Sequence, residues 1–220
     1  MDVIFKLLEI SLGILLNYCL LKQTVFWKFK ITKNTVILTG LLLFILIINS
    51  IHSPNHILTS LTVGIIAAFP EEYLFRGVIL SALLKANSGN SARNNLIKSI
   101  IISALLFSLY HFGNITNQSL MATIEQMIEV FGLGILLGVL YVRKGGLLIP
   151  IIAHFSLDYW VTIREGISDS SGHGSIVGAI IHSGLYILLA LAFLNWHHSK
   201  SWQLYYKLKI SSIIHKVRIY

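Results

Sequence analysis

Seven long apolar runs, at residues 3–21, 35–49, 57–84, 96–112, 120–142, 147–163 and 176–196, constrain this chain more than any other feature. Helices of about 20 apolar residues are what it takes to cross a hydrocarbon core about 30 Å thick. None of the runs shows the period-two alternation of a barrel strand, so helices are the expected form. With 55% of the 220 residues apolar, 12% charged and a mean hydropathy of +0.76, too little polar surface exists to cover a soluble globule. The sequence therefore predicts an all-α polytopic membrane protein of seven or eight transmembrane helices. One transmembrane domain is expected over 1–196, with a basic interfacial tail over 197–220, because no Pro/Gly/Ser-rich linker or soluble insert interrupts the series. The first run holds Lys6 and Glu9, three apart and expected to pair. With Asp2 ahead of it and no small-residue cleavage site behind, it reads as a span rather than a secretory signal. Cys19 is the single cysteine, so no intrachain disulfide is expected.

The net charge of +8 would point towards nucleic acid in a soluble protein. Here the placement of each cation says more, and no nucleic-acid partner is expected. Lys22, Lys28, Lys30 and Lys33 fall in the first loop, and Lys85, Arg93 and Lys98 lie around the third. Arg143 and Lys144 belong to the fifth, and Lys200, Lys207, Lys209, Lys216 and Arg218 to the tail. The intervening loops, 50–56, 113–119 and 164–175, carry Arg164 beside Glu165 and Asp169. Fourteen of the seventeen basic residues thus gather on one side, which predicts an outside N-terminus and a cytoplasmic C-terminus. In the tail, Trp202, Tyr205, Tyr206 and Ile213 alternate with lysines. It reads either as a half-length eighth helix on an anionic leaflet or as a frayed basic end.

Polar residues inside the runs are where chemistry would sit, since each ionised group there costs several kcal/mol unless it finds partners or water. The densest cluster is Phe69-Pro70-Glu71-Glu72-Tyr73-Leu74-Phe75-Arg76-Gly77. On a helix, Glu72 and Arg76 are four apart and share a face, so the arginine can hold Glu72. Glu71 lies about 100° round and is left available as a base. Pro70 removes a backbone donor, which predicts a kink that would admit water. Two later runs supply imidazoles: Phe107 and His111 one turn apart, then His154 and Asp158 four apart, so that Asp158 can orient His154. Counted from the cytoplasmic ends at about 1.5 Å per residue, Glu71 and His111 lie about 20 Å deep and His154 about 10 Å.

Taken in order, Glu-Glu-x-x-x-Arg as Glu71 to Arg76, Phe-x-x-x-His as Phe107 to His111 and His-x-x-x-Asp as His154 to Asp158 resemble the signature of the CAAX protease and bacteriocin-processing family of intramembrane endopeptidases. The resemblance covers about residues 60–165, within a motif-bearing core of about 57–165. It implies an all-helical membrane fold whose motifs meet in an intramembrane catalytic cavity. Glu71 would be the general base, assisted by His111 in activating a water, with Glu72 held by Arg76. His154 and the residue at 158 would stabilise the oxyanion. The family often has asparagine where this chain has Asp158, which cannot donate when ionised, so Asp158 is expected to act through His154. No nucleophilic serine is required, and Ser108 and Ser156 read as packing or supporting donors.

The resemblance also implies a peptide or membrane-anchored protein substrate in the bilayer of a bacterial plasma membrane, with bacteriocin processing or self-immunity as the context and a prenylated CAAX protein as the alternative substrate. No cofactor is implied, although Glu71, Glu72, His111, His154 and Asp158 could as a second chemistry ligate Zn²⁺. A non-catalytic immunity or binding protein, or a small transporter, are the rival readings. Against a transporter, the Glu-Glu motif has no second copy in the other half. Gly132, Gly134 and Gly138 read as a packing face, Glu125 and Glu129 either as lining the cavity mouth or as headgroup-level acids, and His173 and His182 have no partner in sequence.

Overall fold

The structure, a computed structural model, describes residues 3–27, 33–86, 92–166 and 175–195. The expected tail helix and Lys28, Lys30, Asp169, His173, His197 and His198 lie outside the described residues. Within them every regular element is helical. Helix α1 is Val3–Leu16 and runs on through a π-helical turn, Asn17–Leu21, to Lys22 in the left-handed region (φ 47°). Asn17 fixes this reversal: its Oδ1 accepts from Gln23 N at 2.7 Å and its Nδ2 donates to Gln23 O at 3.1 Å. The chain then passes back beside the next helices, where Phe26 O accepts from Leu147 N and Trp27 stacks on Phe69 and Tyr73.

Helix α2 spans Lys33–His52 and α3 spans Ile57–Glu72. Between them the axis turns by 111°, at a short turn that contains Pro54. After Glu72 the rod continues as a π-helical segment, Tyr73–Leu80, and then α4, Ser81–Ala86. A single α-helical run was expected over 57–84. The π segment that replaces its second half begins three residues after Pro70, whose missing N–H already breaks the α ladder, and wide turns of this kind are frequent at functional sites. Helix α5, Ala92–Tyr110, continues as a 3₁₀ segment, His111–Thr116. Helix α6, Leu120–Lys144, is capped by Ser119, whose Oγ accepts from Ala122 N, and stops at Gly145 with φ 70°, the left-handed ending that glycine adopts most readily. Helices α7, Leu148–Glu165, and α8, Ile176–Asn195, complete the set.

Helix α6 is central, packed against α5 on one side and α8 on the other, while α3 lies along α7 and α1 rests on α3. The glycines of α6 make this possible. A Cβ on Gly134 would press on Ala104 and Phe107 of α5, one on Gly138 on Ile100, and one on Gly132 on the backbone of Ser183 in α8. The close approach of membrane helices needs such small residues.

The core is apolar, yet the outer faces are apolar too and several polar side chains are buried. Leu8, Leu12, Phe44, Leu105, Leu185 and Leu188 lie on outer faces, whereas Glu72, Arg76, Ser60, Ser99 and Thr123 are buried. Lipid tails make the first arrangement favourable, and internal hydrogen bonds and ion pairs are what permit the second. The chain is an integral membrane protein. Among the described residues four helices qualify as spans by length and apolarity, in 4–21, 93–116, 120–144 and 176–194, and a fifth if the bent pair Thr39–His52 and Pro54–Ala86 is counted as one. The seven or eight spans expected from the apolar runs are not all reached on this criterion. Helix α7 carries three charged residues, Asp158, Arg164 and Glu165, and α2 and α3 are divided by their bend.

Candidate active site

Three helices bring the predicted side chains together. Glu71 and Glu72 end α3, His111 follows α5, and His154 and Asp158 lie one turn apart on α7. Glu71, Glu72, Arg76, His111 and His154 are each under a tenth exposed. The Asp158 side chain, at 26%, is the most open of the six. The expected cavity is therefore a closed cluster, and even the Asp158 Oδ2 that faces it is buried.

Glu72 is its hub. Its Oε1 accepts from Arg76 Nη1 at 2.7 Å and from His154 Nδ1 at 2.9 Å. The arginine is completely surrounded: its guanidinium lies 4.3 Å over the Phe107 ring, and Nη2 points at Gly134 O at 3.4 Å. Phe107 also meets His111, His154 and Phe75 edge to face. One aromatic thus supports both imidazoles and the cation, a use of its negative face and positive edge.

His154 Nε2 faces the other two carboxylates, 3.8 Å from Glu71 Oε2 and 3.5 Å from Asp158 Oδ2. Asp158 was expected to orient His154, but Glu72 does so, through the shorter bond to Nδ1. Asp158 Oδ2 makes no hydrogen bond. His111 Nδ1 bonds Phe107 O at 2.9 Å. A carbonyl cannot donate, so Nδ1 carries the proton and Nε2 is left as an acceptor. His154 thus reaches Glu71, although residue counting put it about 10 Å shallower by helix rise, and His111 meets the same Phe107 ring as His154.

Glu71 itself is less free than its spacing implied. Lys6 of α1 donates to its Oε1 at 2.6 Å, while Oε2 is buried with no hydrogen-bond partner. The expected Lys6–Glu9 pair is present at 2.8 Å, and Lys6 also donates to Tyr110 OH at 2.9 Å. Lys6 and Tyr110 are the site residues that sequence reasoning missed. The available signal was a lysine in an apolar run, which needs more than one partner on its own helix.

Ser108 and Ser156 donate to the Met127 and Ile152 carbonyls, as packing residues would. Glu129 lies 3.2 Å from His182 at a part-exposed edge, so His182 does have a carboxylate beside it. Among the described residues no three His, Cys, Asp or Glu side chains form a metal ligand set.

The fold and cluster define a helical integral membrane protein with a buried acid–histidine centre. Residues 52–160 match the family model described as Rce1-like, the Type II CAAX prenyl endopeptidase Rce1-like family. That stretch carries all three motifs, and the family resemblance read from them is borne out. An uncharacterised 24.3 kDa protein of Escherichia coli is 33% identical over 101 residues, covering 46% of this chain and 41% of that protein. The chain thus aligns with about two fifths of the length of this relative. No solved structure matches.

Proposed function

We infer that the protein is an intramembrane endopeptidase with a glutamate base and a water nucleophile. The observation that carries this reading is Glu71 Oε2, a buried carboxylate oxygen without a hydrogen-bond donor, facing His154 Nε2 at 3.8 Å. A water between Glu71 and His111 would give a proton to Oε2 as its oxygen attacks the peptide carbonyl. His154, held by Glu72, would donate to the oxygen that becomes negative, in a site dry enough to make that donation strong. Glu71 would then return the proton to the departing amine, giving an acid and an amine from peptide and water. Arg76 keeps Glu72 in place and touches no reacting atom.

In this reading the chain threads a bacterial plasma membrane seven or eight times, N-terminus outside. The substrate is a small peptide or the tethered end of a membrane protein, in bacteriocin processing or self-immunity. The family description favours a prenylated CAAX protein as the other candidate. Comparing membrane-associated peptides from cells with the protein, without it and with Glu71→Gln tests the assignment. A peptide shortened only in the first sample supports it. Identical patterns in cells with the parent protein and with Glu71→Gln would remove it.

A further inference from the structure

We propose that Lys6 of α1 is a positioning residue for Glu71, holding Oε1 so that Oε2 is the oxygen that accepts the proton from water. The inference rests on the protease reading above and adds a fourth helix to the site.

Helix α1 is a peripheral, largely exposed apolar helix, a poor place for a buried cation. It rests on α3 and the π segment after it, and Ile4, Leu7, Leu8 and Leu12 are exposed on its outer face. A lysine on such a helix lowers its cost by extending towards the interface. Lys6 does the opposite. Its ammonium is turned inward, the residue is 5% exposed, it donates to Glu71 and Tyr110 at 2.6 and 2.9 Å, and it pairs with the Glu9 carboxylate at 2.8 Å. Tyr110 precedes His111, so its contact with Lys6 also ties α1 to the end of α5.

The consequence falls on the two oxygens of Glu71. An unrestrained carboxylate can rotate about its terminal bond and present either oxygen, because that torsion is broad and two-fold. Here Oε1 is fixed by a charge-assisted bond, of the stronger kind, and Oε2 is left towards His154 without a donor of its own. One orientation is selected before water arrives. This ordering is lost without Lys6, whose polar contacts are with Glu71, Glu9 and Tyr110.

The test uses the purified full chain in liposomes with a peptide that the parent cleaves. Lys6→Met is expected to lower kcat by about 10- to 100-fold with KM unchanged, the scale of a small misplacement of a reacting group. Lys6→Arg, which keeps the charge and reach, should recover most of the loss. An unchanged kcat per folded molecule, a raised kcat, or a loss confined to KM or folded yield would overturn the proposal. A second readout does not depend on cleavage. Dicyclohexylcarbodiimide, a reagent for carboxyl groups in apolar surroundings, should label Glu71 slowly in the parent and about tenfold faster in Lys6→Met, one decade being about 1.4 kcal/mol of lost protection. Equal labelling in both would also overturn it. If the parent cleaves nothing, the protease reading fails, and the labelling alone decides whether Lys6 holds Glu71.

Discussion

Removing Arg76 separates the architecture of the site from its chemistry. Arg76→Met keeps much of the side-chain volume but leaves Glu72 completely buried with one donor, His154 Nδ1, in place of two. Breaking a buried ion pair from one side costs about 3–5 kcal/mol, and losing the guanidinium from the Phe107 face adds about 1 kcal/mol. The surviving bond from His154 offsets about 1.5–3 kcal/mol of that. The net expectation is a destabilisation of about 3 kcal/mol, roughly 100-fold in the unfolding equilibrium. The pair Arg76→Met/Glu72→Gln should lose less than Arg76→Met alone, because a neutral amide no longer needs the cation and can still accept from His154. Unfolding in mixed detergent micelles at increasing dodecyl sulfate fraction, followed by circular dichroism, measures both. If Arg76→Met costs under about 1 kcal/mol, or the double variant costs as much as the two single variants added, the hub role of Glu72 is refuted.

Three further outcomes are expected. His154→Ala should reduce cleavage by about 10²–10³-fold, the scale of a lost oxyanion donor, whereas Asp158→Asn should cost under about tenfold, since Glu72 rather than Asp158 holds the imidazole. Equal losses in steady-state assays would contradict that ordering. Gly132→Leu should destabilise the fold by about 1–3 kcal/mol or more in the same micelle titration, because its Cβ would already fall on the Ser183 backbone of α8. Cleavage should survive dialysis against a tight chelator, and activity restored by added Zn²⁺ after its loss would install a metal mechanism.

Local chemistry made much of this legible. Glu72 and Arg76 sit four apart and bond as that spacing predicts, and Gly134 and Gly138 face α5 as small residues on one helix side should. The convergence of Glu71 with His154 was implied by the family resemblance but not by residue spacing, because helix rise gives depth but neither tilt nor rotation. The π segment after Glu72 leaves no composition signal, since its residues are ordinary helix formers apart from Gly77. The preference of His154 for Glu72 over Asp158 was hidden because a contact between helices outcompeted one within a helix. Lys6 was hidden in the same way: Glu9 explained it locally, and its contact with Glu71 spans 65 residues of chain.

The central claim is that Glu71 Oε2, within a closed cluster drawn from separate helices, removes a proton from water to cut a peptide. Cleavage by the purified protein, compared between the parent chain and Glu71→Gln at equal folded content, tests it most directly. The account predicts a loss of about 10²–10⁴-fold in kcat, the contribution of a general base, with folding retained. Cleavage that continues at the parent rate with Gln at position 71 would contradict it.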